Sequence, residues 1–537
     1  MKNGFLKVSL ISPKLEVGNP KFNIEEMLKA LKNNRSSIAV FPELGISGYS
    51  CGDLFFQKSI FEDSLKAINT LLKNNPFEGV IIFGAPLIVE EMVLNTAIVV
   101  QKDQILGVVP KFYLPNTKEY YEKRWFKSGF DVVEHIKSID ILGKAVPFGN
   151  LIFTFKDIKF GIEICEDMWA TITPGNLLSV NGANIIFNIS ASNETVGKEA
   201  VRRNAVLEHS RKNSGIYIYC SAGASESSSE TVFSGHNIVG HNATLIKEAN
   251  LFSLETEIMY VDLDIDRLSH ERRSNSSFRD SILKYRLSYQ NVDFTLKETE
   301  EYKFEEELDQ LPYVPRNEIR DNFDKIRSIQ EFGLAKRMKH LGLKTLVIGV
   351  SGGLDSSLAL LVAVRAFDYL KLDRKGIRAY TMPGLHTSNR TKDNAHQLMS
   401  ALGVYSEEID IKEHVLDHLR LLGHDGHTQD TTYENAQARA RTMVLMNQAN
   451  QYGGIVLGTG DLSEIALGWS TYNGDQMSMY NVNGGIPKTV VRFMIKNYAD
   501  FIFDGETKKC LYDILDTPIT PELADNQHTE KIIGKYE

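Results

Sequence analysis

The chain alternates short apolar runs with polar turns and stretches of helical period. In its first half, Leu6–Ser12, Ser37–Phe41, Gly79–Gly84, Thr96–Gln101, Ile158–Ile164, Asn184–Ile189 and Gly215–Cys220 are short, β-rich and bounded by turn residues, which predicts strands. Asn23–Leu31, between the first two, is apolar at helical spacing. This half reads as α/β, with enough strands for a large or doubled sheet. Around 290–315 the period fails: QNVDFTLKETEEYKFEEELDQLPYVPR is acidic and closed by two prolines, which predicts a connection. From Glu318 a helical stretch leads to a strand at Lys344–Val350, with further strands at Gly376–Thr381 and Gly454–Leu457. The expected organisation is therefore a domain over 1–290, a linker over 291–316 and a second α/β domain over 317–537.

Length supports two domains, since 537 residues exceed what one hydrophobic core encloses. With 42% apolar and 24% charged residues the composition is that of an ordinary globular protein. A net charge of −9 argues against a nucleic-acid partner, which rewards a basic face. It leaves room for small anionic ligands, which need only a few local donors. The four cysteines, Cys51, Cys165, Cys220 and Cys510, have no metal-knuckle or redox spacing and imply a reducing compartment. MKNGFLKVSLISP reads as a first strand, and no run approaches the roughly 20 apolar residues of a membrane span, so a cytoplasmic protein without a membrane partner is expected.

The sharpest local signal is Gly349-Val350-Ser351-Gly352-Gly353-Leu354-Asp355-Ser356-Ser357, after an apolar strand and before the apolar helix Leu358–Phe367. Such a loop can aim backbone N–H groups at an anion that also meets the helix N-terminus. Ser356 and Ser357 add hydroxyl donors in the first turn. Asp355 repels phosphate, so its carboxylate is assigned to Mg²⁺. A bare Gly-Gly turn is usually only a turn, but here strand, loop and helix agree. There is no lysine after the glycines, so this is not the GxxxxGK[ST] loop. Further on stand Tyr433–Arg441, read as a helix with Asn435, Arg439 and Arg441 near one face, and the polar run Gly458–Asp475. Lys488, in Ile-Pro-Lys-Thr, is a cation suited to polyphosphate charge.

GVSGGLDSS resembles the ATP-pyrophosphatase group. With ENAQARAR and GTGDLSEIALGWSTYNGD, it resembles the synthetase domain of the NAD synthetase family over Arg327–Pro521. That resemblance implies a Rossmann-like fold with a parallel sheet. It also implies ATP as co-substrate for adenylating the nicotinate carboxylate of deamido-NAD, which ammonia then converts to the amide with release of AMP and pyrophosphate. It places ATP on the loop Gly349–Ser357, Thr459 and Lys488, and Mg²⁺ on Asp355 and Glu464. Deamido-NAD falls to Asn435, Arg439, Glu464, Trp469, Ser470, Thr471 and Tyr472.

Ammonium at neutral pH is almost all protonated and not nucleophilic, so an ammonia source is expected in the first half. Glu43, Lys111 and Cys165 each follow an apolar run. Singly they read as solvated charges and a small buried hydrophobe. In FPELGISGY, GVVPKFYLPN and GIEICEDMW they resemble the Glu-Lys-Cys triad of the nitrilase superfamily over Lys7–Asp264, implying an α-β-β-α sandwich and glutaminase chemistry. Cys165 attacks the carboxamide, Glu43 moves the proton, and Lys111 faces the oxyanion and favours the thiolate. Cys51 and Cys220 are read as structural. The resemblance assigns glutamine to Tyr49, Phe112, Ser192 and Lys198, while Thr117 stands where the family's LPNY pattern has a tyrosine.

The chain stops at Gly534-Lys535-Tyr536-Glu537, where the family's long form continues into helices that help close the deamido-NAD site. A shortened chain with an intact glutaminase and a weakened synthetase step is therefore expected. The family also implies a homo-oligomer. The rival readings are an amidotransferase with a different adenylating domain, against which Gly458–Asp475 argues, and a non-catalytic scaffold, against which the retained Glu43, Lys111, Cys165, Asp355 and Glu464 argue.

Overall fold

The computed structural model describes residues 4–229, 231–298, 301–385 and 389–517. Two compact units divide the chain, Met1–Glu307 and Leu308–Glu537. The C-terminal tetrapeptide lies outside the described residues.

The first unit carries two sheets. A six-stranded sheet runs in the order Glu257–Asp264, Phe5–Ser12, Ile38–Val40, Val80–Val89, Met92–Gln101, Gln104–Pro110. A seven-stranded sheet runs Thr244–Glu248, Ile238–His241, Ile216–Ser221, Ile185–Ser190, Ile158–Ile164, Leu151–Phe155, Gln290–Asp293. Strands buried on both faces read as continuous apolar runs. Val8, Ile98, Phe160 and Ile218 from the two sheets share one core, so the sheets pack face to face. Helices Pro20–Leu31 and Lys58–Asn74 cover the first sheet. Leu178 and Val206, from helices Pro174–Val180 and Lys198–Lys212, pack with Ile186 and Tyr217 on the outer face of the second. This is the expected α-β-β-α sandwich.

The expected linker over 291–316 needs correction. Its beginning extends the strand Gln290–Asp293, paired in parallel with Leu151–Thr154 at the sheet edge. Phe294 and Leu296 are buried in the sandwich core. Beyond them, Tyr302 bonds Asp262 at 2.6 Å, and Glu305 pairs with Lys7 and Arg35. The acidic residues read as linker are partners for basic residues of the sandwich.

The second unit holds a five-stranded sheet with every pair parallel, in the order Tyr405–Glu408, Ile377–Thr381, Leu346–Gly349, Ile455–Gly458, Tyr480–Asn481. Leu334, Leu358, Met494 and Leu511, from helices Ile319–Leu341, Leu354–Leu370, Lys488–Phe501 and Gly505–Asp516, share one core. Val415 and Tyr433, from Lys412–Leu421 and Thr431–Gln451, share another with Val347 and Val456. Helices thus cover both faces of a doubly wound sheet. Strand order reverses between Leu346–Gly349 and Ile455–Gly458, the crevice where such sheets bind ligands. Among the described residues no helix is long and apolar enough to cross a membrane.

Candidate active sites

Glu43, Lys111 and Cys165 follow the ends of Ile38–Val40, Gln104–Pro110 and Ile158–Ile164. Glu43 and Lys111 have side chains 0% exposed, with Lys111 Nζ 2.7 Å from Glu43 Oε1. A second carboxylate, Glu122, lies 2.7 Å from the same nitrogen and accepts the Tyr49 hydroxyl at 2.7 Å. Asn95 donates to Glu43 Oε1 at 2.7 Å, and Ala191 N–H, from the other sheet, donates to Glu43 Oε2 at 2.8 Å. Both oxygens of Glu43 are therefore aimed. Leu44, after Glu43, has φ +49°, and a Cβ on Gly84 would lie 2.1 Å from its nitrogen. Only glycine lets the chain carrying Glu43 come so close.

Cys165 itself has φ +46°, uncommon for a residue with a Cβ. The turn is held by Asp167, whose Oδ2 accepts from Ile164 N–H at 2.9 Å and whose Oδ1 accepts from Phe112 and Tyr113 N–H at 3.1 and 2.7 Å. One carboxylate thus ties the Cys165 turn to the segment after Lys111. Asn188 Nδ2 adds a bond to the Cys165 carbonyl at 3.4 Å.

Burial and then the Glu43 charge push the Cys165 thiol well up, and Lys111 opposes them without prevailing. Lys111 thus acts in the direction expected of it, towards the thiolate, and burial together with Glu43 outweighs it. Burial works against the Lys111 cation, yet Glu122, Glu43 and Cys165 hold it above its ordinary range. Glu122 is pushed up to about 7, chiefly by burial and then by Glu43, against the pull of Lys111. Cys51 and Cys220 are buried and pushed up to about 12 by burial, as structural thiols should be.

Of the glutamine candidates, Phe112 and Ser192 are buried, Tyr49 and Lys198 half-buried, and Thr117 exposed. Tyr120, three residues past Thr117, donates to Asn193 Oδ1 at 2.7 Å, and its ring lies 6.4 Å from that of Tyr49. An aromatic hydroxyl is thus present beside the site, at another position.

In the second unit, Gly352 has φ +88°, and a Cβ there would meet the Thr391 carbonyl at 2.0 Å, so the loop's tightest point must be glycine. The loop is bonded internally: Gly353 N–H to Ser351 Oγ at 3.2 Å, and Ser357 Oγ to Gly353 O at 2.7 Å. Ser356 Oγ is shared between Ser351 N–H and Gly353 O, at 3.2 Å each. The hydroxyls expected to donate outward instead hold the loop's shape. Val350 and Leu354 are buried, leaving only their backbone for a ligand. Asn483 Nδ2 joins this loop to the neighbouring strand end through the carbonyls of Asp355 at 2.9 Å and Thr459 at 3.0 Å.

Asp355, Asp461 and Glu464 each offer a carboxylate oxygen, all within 4.8 Å of one another. Lys488 Nζ sits among them, 2.5 Å from Asp355, 3.0 Å from Asp461 and 3.7 Å from Glu464. Burial pushes Asp355 up to about 6 and Glu464 up to about 8, with Asp355 adding to the second. Burial opposes the Lys488 cation, and the three carboxylates, Asp355 foremost, raise its pKa regardless. Beside this cluster, Thr471 Oγ1 donates to Asn435 Oδ1 at 2.8 Å and Arg439 Nε to the Tyr472 carbonyl at 3.2 Å. Trp469 is tied by its N–H to Glu464 O at 2.7 Å, and Ser470 by its hydroxyl to Gln476 at 2.8 Å. Arg441 departs from the expected shared face: its Nε donates to the Met382 carbonyl at 3.1 Å, because two residues on a helix turn it away from Arg439.

The carbon-nitrogen hydrolase family matches residues 22–273 and the NAD synthase family residues 325–537. The glutamine-dependent NAD(+) synthetase of Mycobacterium leprae is 37% identical, over 98% of this chain and 80% of that protein. The chain belongs to the glutamine-dependent NAD synthetase family. The enzyme of that name from Mycobacterium tuberculosis is also 37% identical, over 100% of this chain and 82% of its own. That from Thermotoga maritima is 29% identical, over 99% and 87%.

Within this family enzyme, three carboxylates carry no signal in the sequence that marks them as part of a site. Glu122 lies in the polar run TKEYYEKR and Asp167 beside the nucleophile, while Asp461 stands inside its motif with no role of its own. Asp461 also caps its helix, forming a reciprocal box with Glu464 through 2.8 and 3.1 Å bonds. A D-x-x-E pattern before a helix is ordinarily only that box, which hides the third carboxylate.

Proposed function

We propose that the first unit generates ammonia at Cys165 and that the second consumes it at an acyl adenylate held between the phosphate loop and Gly458–Asp475. In the first step the Cys165 proton passes to Glu43 as sulfur bonds to the glutamine carboxamide carbon, and Lys111 meets the oxyanion. Glu43 returns that proton to nitrogen as the C–N bond breaks, releasing ammonia. A water deprotonated by Glu43 then adds to the thioester, the C–S bond breaks as Glu43 returns that proton to the Cys165 sulfur, and glutamate leaves. Glu122 holds Lys111 charged through the cycle. The observation that carries this reading is Lys111 buried between Glu43 and Glu122. Tyr49, Phe112, Ser192 and Lys198 receive the glutamine, with Tyr120 in place of Thr117.

In the second unit the carboxylate of deamido-NAD attacks the α-phosphorus of ATP and pyrophosphate leaves, after which ammonia displaces AMP. ATP lies on the loop Gly349–Ser357 with Thr459, at the sheet's switch point. Asn435, Arg439, Trp469, Ser470, Thr471 and Tyr472 face the dinucleotide. Asp355, Asp461 and Glu464 suit Mg²⁺: all three donors are oxygen, and Asp355 Oδ1 is buried without a hydrogen-bond partner. When bound, the ion supplies charge neutralisation for the polyphosphate. Asp355, Asp461 and Glu464 would hold it, which would leave Lys488 for phosphate. The four buried free thiols agree with a cytoplasmic setting, and we assign a homo-oligomer by family.

The test separates the units. Cys165→Ala should abolish glutamine-driven NAD formation and keep ammonia-driven formation. Asp355→Ala should abolish both while sparing glutaminase turnover. Glutamine use by the cysteine variant at the normal rate would refute the reading.

A further inference from the structure

The segments that carry Asp355, Thr459 and Lys488 converge on one neutral residue. Asn483 is fully buried and lies just past the edge strand Tyr480–Asn481. Its Nδ2 donates one hydrogen to the Asp355 carbonyl at 2.9 Å, in the first turn of the phosphate-loop helix. The other goes to the Thr459 carbonyl at 3.0 Å, past the end of strand Ile455–Gly458. Its own carbonyl accepts from Ile486 N–H at 2.8 Å, closing the turn that delivers Lys488. Its N–H donates to Asn481 Oδ1 at 3.0 Å, and Asn481 Nδ2 holds the Gly460 carbonyl at 2.8 Å.

Chemistry dictates which way this amide faces. Two carbonyls can be met only by its NH₂ end, so Oδ1 must face a donor. That donor is the buried Gln330, whose Nε2 lies 3.2 Å away, from the middle of helix Ile319–Leu341. The same nitrogen donates to the Val482 carbonyl at 3.0 Å. The next residue ties that helix to the two that frame the site. Glu331 accepts the Tyr498 hydroxyl at 3.0 Å and pairs with Arg365 at 3.7 Å. Tyr498 belongs to the helix that Lys488 begins, and Arg365 to the phosphate-loop helix. Turning the Asn483 amide over would set its oxygen against two carbonyls, a cost that buried polar groups avoid. A network so satisfied specifies one arrangement.

We propose that Asn483 is a positioning residue for adenylation: it sets the spacing of Asp355, Thr459 and Lys488 across the crevice, and Gln330 acts through it by orienting its amide. The inference rests on the ATP site assigned above to the loop Gly349–Ser357, Thr459 and Lys488. Each of those segments keeps its own donors for ATP without Asn483. The α-phosphorus meets the attacking carboxylate in line only when all of them stand at one separation. A misplacement of about 1 Å costs about 10²-fold in rate and much less in binding.

The test measures kcat and KM for ATP in ammonia-driven synthesis by the full chain, for Asn483→Ala, Gln330→Met and the double variant. Asn483→Ala should lower kcat about 10²-fold and leave KM for ATP within about threefold of the native value. Gln330→Met should lower kcat about tenfold, again with KM kept. In the double variant kcat should equal that of Asn483→Ala alone, because Gln330 works only through the amide. Should Asn483→Ala fail to fold, the division of the Gln330→Met effect between kcat and KM decides. A loss carried by KM for ATP makes Asn483 part of ATP binding and overturns the positioning role. Losses that multiply in the double variant detach Gln330 from Asn483 and overturn the relay. An unchanged kcat in Asn483→Ala overturns the proposal outright. Asp355→Ala in the same assay judges the ATP site separately: full loss keeps that site, and retained synthesis removes it.

Discussion

In the amidase site Glu43 and Lys111 are wholly withdrawn from solvent and already hold the partners they work with. In the adenylating site Lys488 and Asp355 keep 18% and 21% side-chain exposure and hold each other. In the first site the charged groups are held by other protein groups. Glu43 is aimed by Asn95 and Ala191, Lys111 is flanked by two carboxylates, and the Cys165 turn is fixed by Asp167. In the second, an ammonium lies among three carboxylates, and serine hydroxyls bond to their own loop. The contrast comes from the chemistry. Amide hydrolysis needs only side chains and a water, so rigid pre-assembly serves it. Adenylation works on a polyanionic co-substrate, so its site gathers charged groups of both signs.

Four measurements test that contrast, beginning with the largest effect. Glu43→Gln removes the proton carrier from an otherwise complete site and should lower glutaminase kcat by about 10³-fold, with ammonia-driven synthesis retained. A loss under tenfold would mean another group carries the proton. Lys488→Met should lower ammonia-driven synthesis by about 10²-fold, because a polyphosphate contact is lost. Unchanged synthesis would make Lys488 a plain counter-ion.

Glu122 gives a pH signature. Its carboxyl, pushed up to about 7 by burial, is protonated below that pH and leaves Lys111 with one anionic partner. Glutaminase kcat/KM should therefore fall as pH drops through about 7. Glu122→Gln, fixed neutral, should lose that limb and sit about tenfold lower on the plateau, equivalent to about 1.4 kcal/mol. A limb that survives in the variant would belong to another group. The smallest effect concerns the scaffold: Gly84→Ala should destabilise the first unit by about 1–3 kcal/mol by forcing the Glu43–Leu44 backbone away, as read by calorimetry. No shift in its melting transition would show that the close approach is tolerant.

Strands such as Ile158–Ile164 were legible because their apolar runs are unbroken, and Glu43, Lys111 and Cys165 because each follows such a run; Thr244–Glu248, Glu257–Asp264 and Tyr405–Glu408, which mix polar and apolar residues, were not. Ile158–Ile164 is found where the residues predict it, and other strands differ by a few residues at their ends. Glu122 was not legible: a glutamate among lysines and tyrosines is a surface pattern, and only the fold turns it inward. Ser356 and Ser357 were legible as loop residues, but the direction of their hydroxyls depends on the turn at Gly352. Arg441 was misjudged because adjacency in a motif is not adjacency on a helix. The 290–307 segment reads as connection since its charges hide their partners, Lys7 and Arg35, which lie nearly the whole unit away in sequence.

That segment has a practical consequence for taking the protein apart. Gln290–Asp293 is the last rung of the seven-stranded sheet, and the chain beyond it is stapled down by Tyr302 and Glu305. A fragment ended at residue 289 would bare the strand Leu151–Phe155 as a raw edge, with hydrogen-bonding groups open to any passing chain, and such edges recruit copies of themselves. One ended at residue 307 keeps its hem. The difference between a fragment that stays monodisperse at high concentration and one that precipitates should lie in those eighteen residues, none of which belongs to the chemistry.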